Sequence, residues 1–517
     1  MTTARFSART RVSTLDAERC RLPIAVFRDL SQQERSGGSV LMESVAQGSR
    51  GGTRSLVVPG GVVRLLARSG SVRLEALCAR GERLVHALGE LTEYPRGASS
   101  PSLSDDERIR APSVLDAVRE LAGLVEDENP GSQLPAGVYG AFSYELVDCW
   151  EDLPPRASDP GQESDINVVL ALDTIVFDHL AGNVQVVTRS VARSEDAHAD
   201  ERHERFIDTL TRTANGAAWV EDDLEHDPKP VDDKVCEADV SDEEFIRSVR
   251  KFLFHIEQGD IFQGVLSRGL EMKSRANPLD VYGVLRQRNP SPYMFHVELG
   301  DGVLLGASPE TCVKVEHGRL EIRPIAGTAP RGFSEDGSID AQLDSRLAVG
   351  LLLDAKEQAE HAMLVDLARN DVARVASPGT CRVMEPFTIE KYSHVQHLVS
   401  GVSGNLPPEL DALHAYRAAA NMGTLTGAPK LRAMELIRET EPFARGFYGG
   451  AVGYLLQDGC FDSCIVIRSL RYRPDGTYLT RAGAGIVAES IPERELEETA
   501  QKARACRQAV AVAETRA

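Results

Sequence analysis

One stretch near the C-terminus, "AGAGIVAESIPERELEETAQKA", combines glycines with a run of glutamates. Pro492 suits the first turn of a helix, which we expect to run from about 491 to 510. Glu495, Glu498 and Lys502 then lie at i, i+3 and i+7 on one helix face. Alone, this pattern is typical of a solvated face with a Glu498–Lys502 ion pair. The glycines of "RAGAG" follow a predicted strand, and a loop there would let backbone N–H groups approach an anion closely.

A second stretch, "DAKEQAEHAMLVDLARND", predicts a helix from Asp354 to about Asn370, with Glu357 and Glu360 again at i and i+3. Two helices that each present a pair of glutamates offer the oxygen ligands that a hard dication such as Mg²⁺ takes. Like charges about 4 Å apart repel by roughly 4 kcal/mol at an effective dielectric of 20, so converging carboxylates imply a cation between them. The site therefore depends on whether the fold brings the two helices together.

Three other motifs have both a structural and a chemical interpretation. "KYSHVQHLVSGVSG" alternates like a strand, which sends His394 and His397 to opposite faces and argues against a paired-histidine metal site. His397 shares its face with valines and also fits a core position. "GTLTGAPK" (423–430) could cradle a phosphate or carboxylate but lacks P-loop spacing. "PIAGTAPRG" (324–332) is expected to be a glycine turn with possible backbone donors.

Strands dominate the elements that must position these residues. A capping box, Ser241 to Glu244, precedes apolar residues at helical spacing and predicts a helix from about 242 to 257. Three alternating stretches predict strand pairs joined by tight turns: "SLVVPGGVVRLLARSGSVRLEAL", "VVLALDTIVFDHLAGNVQVVTRSV" and "GGAVGYLLQDGCFDSCIVIRSLRYRPDGTYLTRAGAG". The expected fold class is α+β, with strand-rich layers and flanking helices.

Charge and composition exclude several classes of protein. A formal net charge of −20 repels nucleic acid and anionic lipid, so an anionic substrate needs a local cationic site. No apolar run reaches the ~20 residues of a membrane-spanning helix. The nine cysteines are scattered without zinc spacing, which favours reduced thiols and a cytoplasmic location.

The chain divides into three expected regions. Residues 1–20, rich in arginine and hydroxyl side chains, are expected to form a flexible tail. Loop-like composition at 93–113, at 151–165 and in the acidic run 221–244 favours a boundary near the third of these. The boundary separates an N-terminal region, 21–235, from a C-terminal region, 240–517.

Ten motifs, in this order, resemble those of the chorismate-utilising enzymes, and most closely those of the large synthase subunits of anthranilate synthases: "GDIFQGVLSR", "NPSPYMF", "GASPE", "PIAGTAPRG", "EHAMLVDLARND", "SHVQHLVSGVSG", "GTLTGAPK", "YGGAVGY", "IRS" and "AGAGIVAESIPERE". "LMES" and "GVYGAFSYELVDCWEDLP" extend the resemblance into the N-terminal half. The resemblance implies layered sheets flanked by helices and a catalytic cleft in the C-terminal region. It also places chorismate, a dicarboxylate, and Mg²⁺ between the glycines and the glutamates.

The resemblance assigns roles residue by residue. Glu360 and Glu498 match the magnesium ligands, with Glu357 and Glu495 nearby through water. Glu310 matches the acid that protonates the departing hydroxyl, His397 the histidine associated with pyruvate elimination, and Thr424 lies beside it. The implied substrate contacts are Gly327, Thr328, Tyr448, Arg468, Gly483, Ala484, Gly485 and Lys502.

Ammonia is the implied nucleophile. Related isochorismate and aminodeoxychorismate synthases carry an active lysine where this chain has Gln263 and Ala326, respectively. The sequence contains no G-x-C-x-G amidotransferase segment, so a separate glutamine amidotransferase subunit is implied, in a hetero-oligomer such as a heterotetramer. Alternatives are a 2-amino-2-deoxyisochorismate synthase of secondary metabolism and a non-catalytic tryptophan-binding paralogue.

A regulatory site is implied in the N-terminal region. "LMES" and "NPSPYM" resemble the family's tryptophan site, with Ser44, Pro292, Tyr293 and Met294 as contacts, and so imply feedback inhibition by L-tryptophan. A strand end and a proline turn are the structural alternative. Departures from the family pattern at Met42, Gly264, Ala329 and Thr426 bear on the strength of inhibition more than on the chemistry.

Overall fold

The structure is a computed structural model, and it describes residues 6–34, 37–44, 54–88, 103–128, 134–156, 158, 161, 163–191, 198–212, 236–334, 337–392 and 395–516. His394 lies outside the described residues. So do the first part of the expected linker 93–113 and the acidic run up to residue 235.

The strands, in chain order, are β1 Phe6–Asp16, β2 Val40–Glu43, β3 Arg54–Val58, β4 Val63–Arg68, β5 Ser71–Ala76, β6 Val125–Asp127, β7 Gly137–Phe142, β8 Ile166–Ala171, β9 Thr174–Asp178, β10 Asn183–Ser190, β11 Glu237–Ala238, β12 Gln263–Lys273, β13 Tyr293–Glu298, β14 Val303–Ser308, β15 Thr311–Glu316, β16 Arg319–Ile322, β17 Ile325–Pro330, β18 Arg382–Lys391, β19 Val395–Asn405, β20 Gly427–Ala428, β21 Ala451–Leu456, β22 Phe461–Ile465, β23 Ser469–Tyr472 and β24 Thr477–Ile486.

The α-helices are α1 Pro23–Gln33, α2 Ala79–Leu88, α3 Asp105–Arg110, α4 Leu115–Ala122, α5 Ala199–Thr211, α6 Asp242–Glu257, α7 Pro278–Arg288, α8 Ala341–Leu353, α9 Ala355–Ala373, α10 Ala412–Ala419, α11 Lys430–Arg438 and α12 Pro492–Glu514, with short 3₁₀ helices at Ala17–Arg19 and Tyr144–Cys149. The helix expected at 242–257 is α6, and its Ser241/Glu244 capping box is formed. The two glutamate helices are α9 and α12, which begin where their Asp354 cap and Pro492 predict.

Two large sheets form the centre of the molecule. The first has 13 strands in the order β11-β12-β24-β23-β14-β13-β2-β3-β9-β10-β1-β6, with β20 also on β12; the second has 11, in the order β17-β19-β16-β15-β22-β21-β7-β8-β4-β5, with β18 also on β19. Apolar residues of both sheets, such as Phe295 and Tyr139, share one buried cluster. Separate clusters join the outer faces to helices, with α7 and α12 on the first sheet and α9 and α10 on the second. The α+β prediction with flanking helices is confirmed.

Residues 6–16 do not form the flexible tail expected from composition. They are β1, which pairs along eight residues with β10 and also with β6. Alternation of threonine, serine and arginine with apolar residues suits a half-exposed strand, and that period carries more information than the polar composition.

Each half of the chain supplies one contiguous block of strands to each sheet. Among the described residues, the blocks meet at two strand pairs, β13 with β2 and β21 with β7. The two predicted regions therefore occupy different ends of shared sheets.

The three alternating stretches contain the predicted strand pairs, β4 with β5, β9 with β10, β21 with β22 and β23 with β24. Each stretch also changes sheet part-way, which the alternation does not predict. β3 and β4 lie in different sheets, as do β8 and β9, and β22 and β23. We call a short segment at which the chain leaves one sheet and enters the other a crossing. The crossing between β22 and β23, and another between β14 and β15, position the residues described next.

Candidate active site

Two neighbouring crossings between the sheets carry Glu310 and Arg468. Glu310 lies between β14 and β15, and Arg468 lies between β22 and β23. Backbone hydrogen bonds tie the crossings together: Ala307 N–H donates to the Arg468 carbonyl at 3.1 Å, and Ile465 N–H donates to the Glu310 carbonyl at 3.0 Å. Arg468 adopts a φ of 49°, a left-handed conformation that a non-glycine residue rarely takes and that the crossing imposes.

Glu310 is a buried carboxylic acid. Its side chain is 6% exposed, and burial raises its pKa to about 8, against the opposing influence of Thr424, Lys502 and Arg468. Oε1 of Glu310 and Oγ1 of Thr424 are both buried without a hydrogen-bond partner among the described residues. A protonated carboxyl beside a hydroxyl, each with unused hydrogen-bonding capacity, is suited to donating a proton to a bound molecule.

Arg468 is a cation whose side chain has no hydrogen-bond or ion-pair partner in the part of the chain that the structure describes. Its guanidinium forms no hydrogen bond or ion pair with the described residues, although burial lowers its pKa. Arg468 is half-buried, and a guanidinium withdrawn from water is costly unless an anion compensates it. Arg468 therefore marks a position for an anionic group, and a carboxylate matches its fork of donors.

His397 on β19 is a neutral imidazole with one nitrogen in use. Its Nδ1 lies 3.1 Å from the Gly327 carbonyl oxygen and 3.1 Å from the Thr328 hydroxyl. Burial lowers its pKa, and the charge of Arg468 lowers it further. Donation from Nδ1–H to the carbonyl leaves Nε2 with a lone pair, and Nε2 has no partner among the described residues.

The glycine motif 324–332 is part of a strand, not the expected turn. β17 pairs with β19, and the register shifts between Ala326 and Thr328. Gly327 sits in this bulge with a φ of 65°, which suits a residue without a side chain. The bulge turns the Gly327 carbonyl toward His397.

Gly483 and Gly485 lie inside β24 and not in a loop after it. Their partners on β12, Ser267 and Val265, donate their N–H groups to the far side of β12, at 2.8 Å to Glu441 and 2.9 Å to the Thr426 carbonyl. Gly483 and Gly485 therefore direct their own N–H and C=O groups to the opposite edge. β23 pairs with β24 only as far as Leu479, so no strand among the described residues covers this edge of β24 beside Arg468. A strand edge thus supplies the backbone donors that the sequence suggested for a loop.

Ala484 is the exception among the expected substrate contacts. Strand alternation turns its N–H and C=O groups toward β12, and its side chain is buried in an apolar cluster with Phe245 and Leu266. Neither its backbone nor its side chain faces the open edge.

Tyr448 and Lys502 border the same edge. A Cβ added to Gly483 would lie 2.8 Å from the Tyr448 hydroxyl. Burial raises the pKa of Tyr448 to about 12, so its phenol remains a donor. Lys502 Nζ donates to the Gly483 carbonyl at 3.0 Å and pairs with Glu498 at 2.7 Å.

The structure brings α9 and α12 close enough for their glutamates to interact. Burial raises the pKa of Glu357, and the charges of Glu360 and, across the gap between the helices, Glu498 raise it further. Burial likewise raises the pKa of Glu495. Lysines pair with the two expected ligands, Lys356 with Glu360 at 3.5 Å and Lys502 with Glu498 at 2.7 Å.

These carboxylates fit a hard dication by donor type and by charge. Glu357 also reaches the bulge, since a Cβ on Gly327 would lie 2.9 Å from its Oε2. Within the described part of the chain, no three acidic, histidine or cysteine side chains already converge as a metal cluster. A divalent cation would nevertheless relieve the mutual repulsion between carboxylates on these two helices.

A separate cavity of about 260 Å³ lies where the two halves of the chain meet. Its wall includes all four expected regulatory residues, Ser44, Pro292, Tyr293 and Met294, and the Ser44 hydroxyl is buried without a partner among the described residues. Other wall residues are apolar (Leu56, Phe295, Val452) or charged (Arg54, Lys314, Glu316, Asp462). A mixed wall of this kind suits a small zwitterion with a large apolar side chain.

The motif "GTLTGAPK" is mainly structural. Lys430 Nζ lies 2.8 Å from both carboxylate oxygens of the buried Asp371, so it is not available to an anion. Thr426 donates to the backbone carbonyl of Met422. Thr424 is the member of the motif whose hydroxyl remains unused by the described residues.

A buried ion pair behind the site was missed by the sequence interpretation. Arg445 pairs with Glu441 at 2.6 Å and donates to the carbonyls of Val265 at 2.8 Å and Leu425 at 2.6 Å. Its guanidinium also lies 5.9 Å from the centre of the Tyr448 ring. Arg445 therefore links β12, which pairs with β24, to the loop before Thr426 and to Tyr448. An arginine four residues after a glutamate gives no signal in the sequence, because exposed helices carry the same spacing.

Among the described helices, none is long and apolar enough to cross a membrane. All nine cysteines are free thiols.

Comparison with known proteins adds evidence for function. A profile described as chorismate binding enzyme matches residues 89–508. The chain is 40% identical to anthranilate synthase component 1 of Escherichia coli, over 95% of each chain. It is 41% identical to the pyocyanine-specific anthranilate synthase component 1 of Pseudomonas aeruginosa, over 90% of this chain and 88% of that one.

Solved structures agree with these matches. Anthranilate synthase component I of Streptococcus pneumoniae is 28% identical and superposes with a TM-score of 0.70, covering 90% of this chain and 94% of that one. A menaquinone-specific isochorismate synthase of Escherichia coli, 18% identical, shares the fold with a TM-score of 0.67 over 98% of this chain and 95% of that one.

Proposed function

The chain belongs to the chorismate binding enzymes, and from that premise we propose that it is the large subunit of an anthranilate synthase. It converts chorismate and ammonia to anthranilate and pyruvate. The observation that carries the proposal is the pair of sheet crossings, which sets an acid that is protonated at neutral pH beside a guanidinium without a partner among the described residues. Near-full-length identity of about 40% to anthranilate synthase components supports the assignment to this branch of the family.

Binding of the dicarboxylate follows from the open edge of β24. Arg468 compensates one carboxylate, and the N–H groups of Gly483 and Gly485 with the Tyr448 hydroxyl donate along the edge. Lys502 adds positive charge beside Gly483. These groups form the local cationic site that a chain with a net charge of −20 requires.

Glu310 and His397 have distinct protonation tasks. Glu310 donates its proton to the departing ring hydroxyl, because burial keeps the carboxyl neutral near pH 7. His397 presents the Nε2 lone pair, fixed in direction by the bond from Nδ1 to the Gly327 carbonyl, and takes a ring proton during pyruvate elimination. Thr424 adds a hydroxyl that lies close enough to Glu310 to influence its pKa.

Mg²⁺ is the proposed cofactor. Glu360 and Glu498 would hold it, with Glu357 and Glu495 through water, and it would bind the ring carboxylate and polarise it. Glu360 and Glu498 now pair with Lys356 and Lys502, and each glutamate would exchange its lysine partner for the metal ion.

A glutamine amidotransferase subunit is the proposed source of ammonia. The names of the related proteins include "component 1", which implies a second component, and free ammonia is scarce at neutral pH. We place the complex, a hetero-oligomer, in the cytoplasm, because nine unpaired thiols suit a reducing compartment.

L-tryptophan is the proposed inhibitor, bound in the cavity at the junction of the two halves. Its indole would contact Leu56, Met294 and Phe295. The Ser44 hydroxyl, which no described residue pairs, and the charged wall would receive its ammonium and carboxylate groups.

The test is anthranilate fluorescence from chorismate, an ammonium salt and Mg²⁺ with this chain alone. We expect fluorescent product, identified by mass spectrometry, and loss of turnover in Glu498→Gln without loss of fold. Glu497→Gln, an exposed neighbour on α12, is the matched control and should keep activity. An amino-cyclohexadiene product would contradict the proposed reaction, and a fully active Glu498→Gln would contradict the metal site.

A further inference from the structure

Tyr293, a residue of the cavity proposed to bind L-tryptophan, contacts the residues on both sides of the crossing that carries Glu310. Tyr293 opens β13, lies in the cavity wall and pairs across the sheet with Ser308. The Ser308 hydroxyl forms two hydrogen bonds with the backbone of Glu310. It accepts from the Glu310 N–H at 3.3 Å and donates to the Glu310 carbonyl at 3.4 Å. The backbone of Tyr293 thus contacts the residue that fixes the start of the crossing.

The side chain of Tyr293 contacts the other end of the same crossing. Its hydroxyl lies 3.1 Å from Thr311 Oγ1, the residue directly after Glu310, and 3.0 Å from Asp462 Oδ1. A phenol has one proton, which Tyr293 donates to the carboxylate, so the Thr311 hydroxyl must donate to Tyr293. The result is a chain of three side chains from the crossing to a charged group.

That charged group is itself part of the cavity wall. Asp462 and Cys464 line the cavity, and Cys464 is the strand partner of Thr311. Thr311 is not among the residues that line this cavity, whereas Tyr293, Asp462 and Cys464 are. A zwitterion placed there meets the Asp462 carboxylate, on which the orientation of the Tyr293 hydroxyl depends.

Movement of the crossing would alter two substrate-facing groups together. The Glu310 carbonyl accepts from Ile465, and Ala307 donates to the Arg468 carbonyl, so the crossing of Glu310 and that of Arg468 are one hydrogen-bonded unit. A shift of Thr311 by a hydrogen-bond length would change both the position of the acid and that of the guanidinium.

We propose that Tyr293 is a positioning residue for Glu310, and that a ligand in the cavity reaches the active site through the bonds of Tyr293 to Asp462 and Thr311. The inference rests on the proposed tryptophan site. It assigns the coupling to two hydroxyl groups, in addition to the strands that join the halves of the chain.

Tyr293→Phe tests the inference, because it removes the hydroxyl and keeps the ring in the cavity wall. Thr311→Val cuts the same bond from outside the cavity. Tyr454→Phe is the matched control, since Tyr454 lines the cavity but has no hydrogen bond to the crossing among the described residues. Tryptophan binding is measured by calorimetry, and inhibition is measured in the ammonia assay at a fixed chorismate concentration.

We expect both test variants to bind L-tryptophan close to wild-type affinity while inhibition at saturating L-tryptophan weakens by about fivefold or more, the lower range of ordinary allosteric coupling. Tyr454→Phe should bind L-tryptophan and remain inhibited. Wild-type inhibition in either test variant that binds L-tryptophan would overturn the inference alone. A wild-type protein that does not bind L-tryptophan would overturn the regulatory proposal and the inference with it.

Discussion

Replacement of Glu310 by glutamine should abolish turnover. It should also make the free energy of unfolding fall less steeply as pH rises. Glutamine resembles the protonated carboxyl in size and can donate the same hydrogen bonds, but it cannot lose a proton. The folded wild-type protein holds this proton up to about pH 8, whereas an exposed glutamate releases it near pH 4.5. Folding of the wild type is therefore linked to proton uptake between these values.

The sign and size of the effect follow from that difference. The raised pKa means that the wild type has its full stability below pH 4.5 and loses part of it as pH rises through about 8. Each tenfold change in proton affinity is worth about 1.36 kcal/mol, so the interval from 4.5 to about 8 gives at most about 5 kcal/mol. The variant lacks this contribution, and its stability relative to the wild type should rise over the same range.

Denaturant unfolding of both proteins at several pH values between about 5 and 9 measures the difference, and the fluorescence assay should show a loss of turnover of about 10² to 10⁴ for a missing general acid. A difference in unfolding free energy that stays constant with pH would refute the reasoning. Glu310 would then ionise at the same pH in the folded and the unfolded chain and could not act as an acid at neutral pH.

Two other changes test the support of the site. Arg445→Met should destabilise the protein by about 3–5 kcal/mol, because it leaves the carboxylate of Glu441 buried without its main partner. Thermal unfolding measures this loss, and the double variant Arg445→Met with Glu441→Gln should recover much of it. Gly483→Ala should raise the KM for chorismate, because the added Cβ would lie 2.8 Å from the Tyr448 hydroxyl and 2.9 Å from the Leu266 carbonyl. Gly459→Ala is the control. Gly459 lies at a turn with open space around it and has a φ of 85°, so this variant should change stability without changing KM. Equal KM values for Gly483→Ala and the wild type would argue against the strand edge as the substrate contact.

Local patterns in the sequence predicted local structure well. α6 was predictable because a capping box and a helical apolar repeat agree, and α9 and α12 because Asp354 and Pro492 mark their starts. β1 was missed because its composition resembles that of a frayed end, although its alternation is that of a strand.

The arrangement of strands was not predictable in the same way. Alternation gives the period of a strand but not its partner, so β8 and β9 resemble one pair although they lie in different sheets. The same limit hid the crossings at Glu310 and Arg468. Gly483 and Gly485 were expected in a loop, where backbone N–H groups can approach an anion, whereas both lie inside β24.

The approach of α9 and α12 depends on how distant parts of the chain pack, which spacing within each helix does not encode. Motif resemblance supplied that pairing instead, and the electrostatic influence of Glu498 on Glu357 is consistent with it. The Arg445–Glu441 pair had neither a local pattern nor a motif to reveal it.

The division of both sheets between the two halves of the chain has a consequence during synthesis. When β2 and β7 leave the ribosome, their partners β13 and β21 have not yet been made, and β21 follows β7 by roughly 310 residues. At a synthesis rate of about 5–20 residues per second, the edge of β7 stays unpaired for roughly 15–60 s before β21 is made. Exposed strand edges pair readily with other chains, so the nascent N-terminal half should depend on chaperones until its own C-terminal strands arrive.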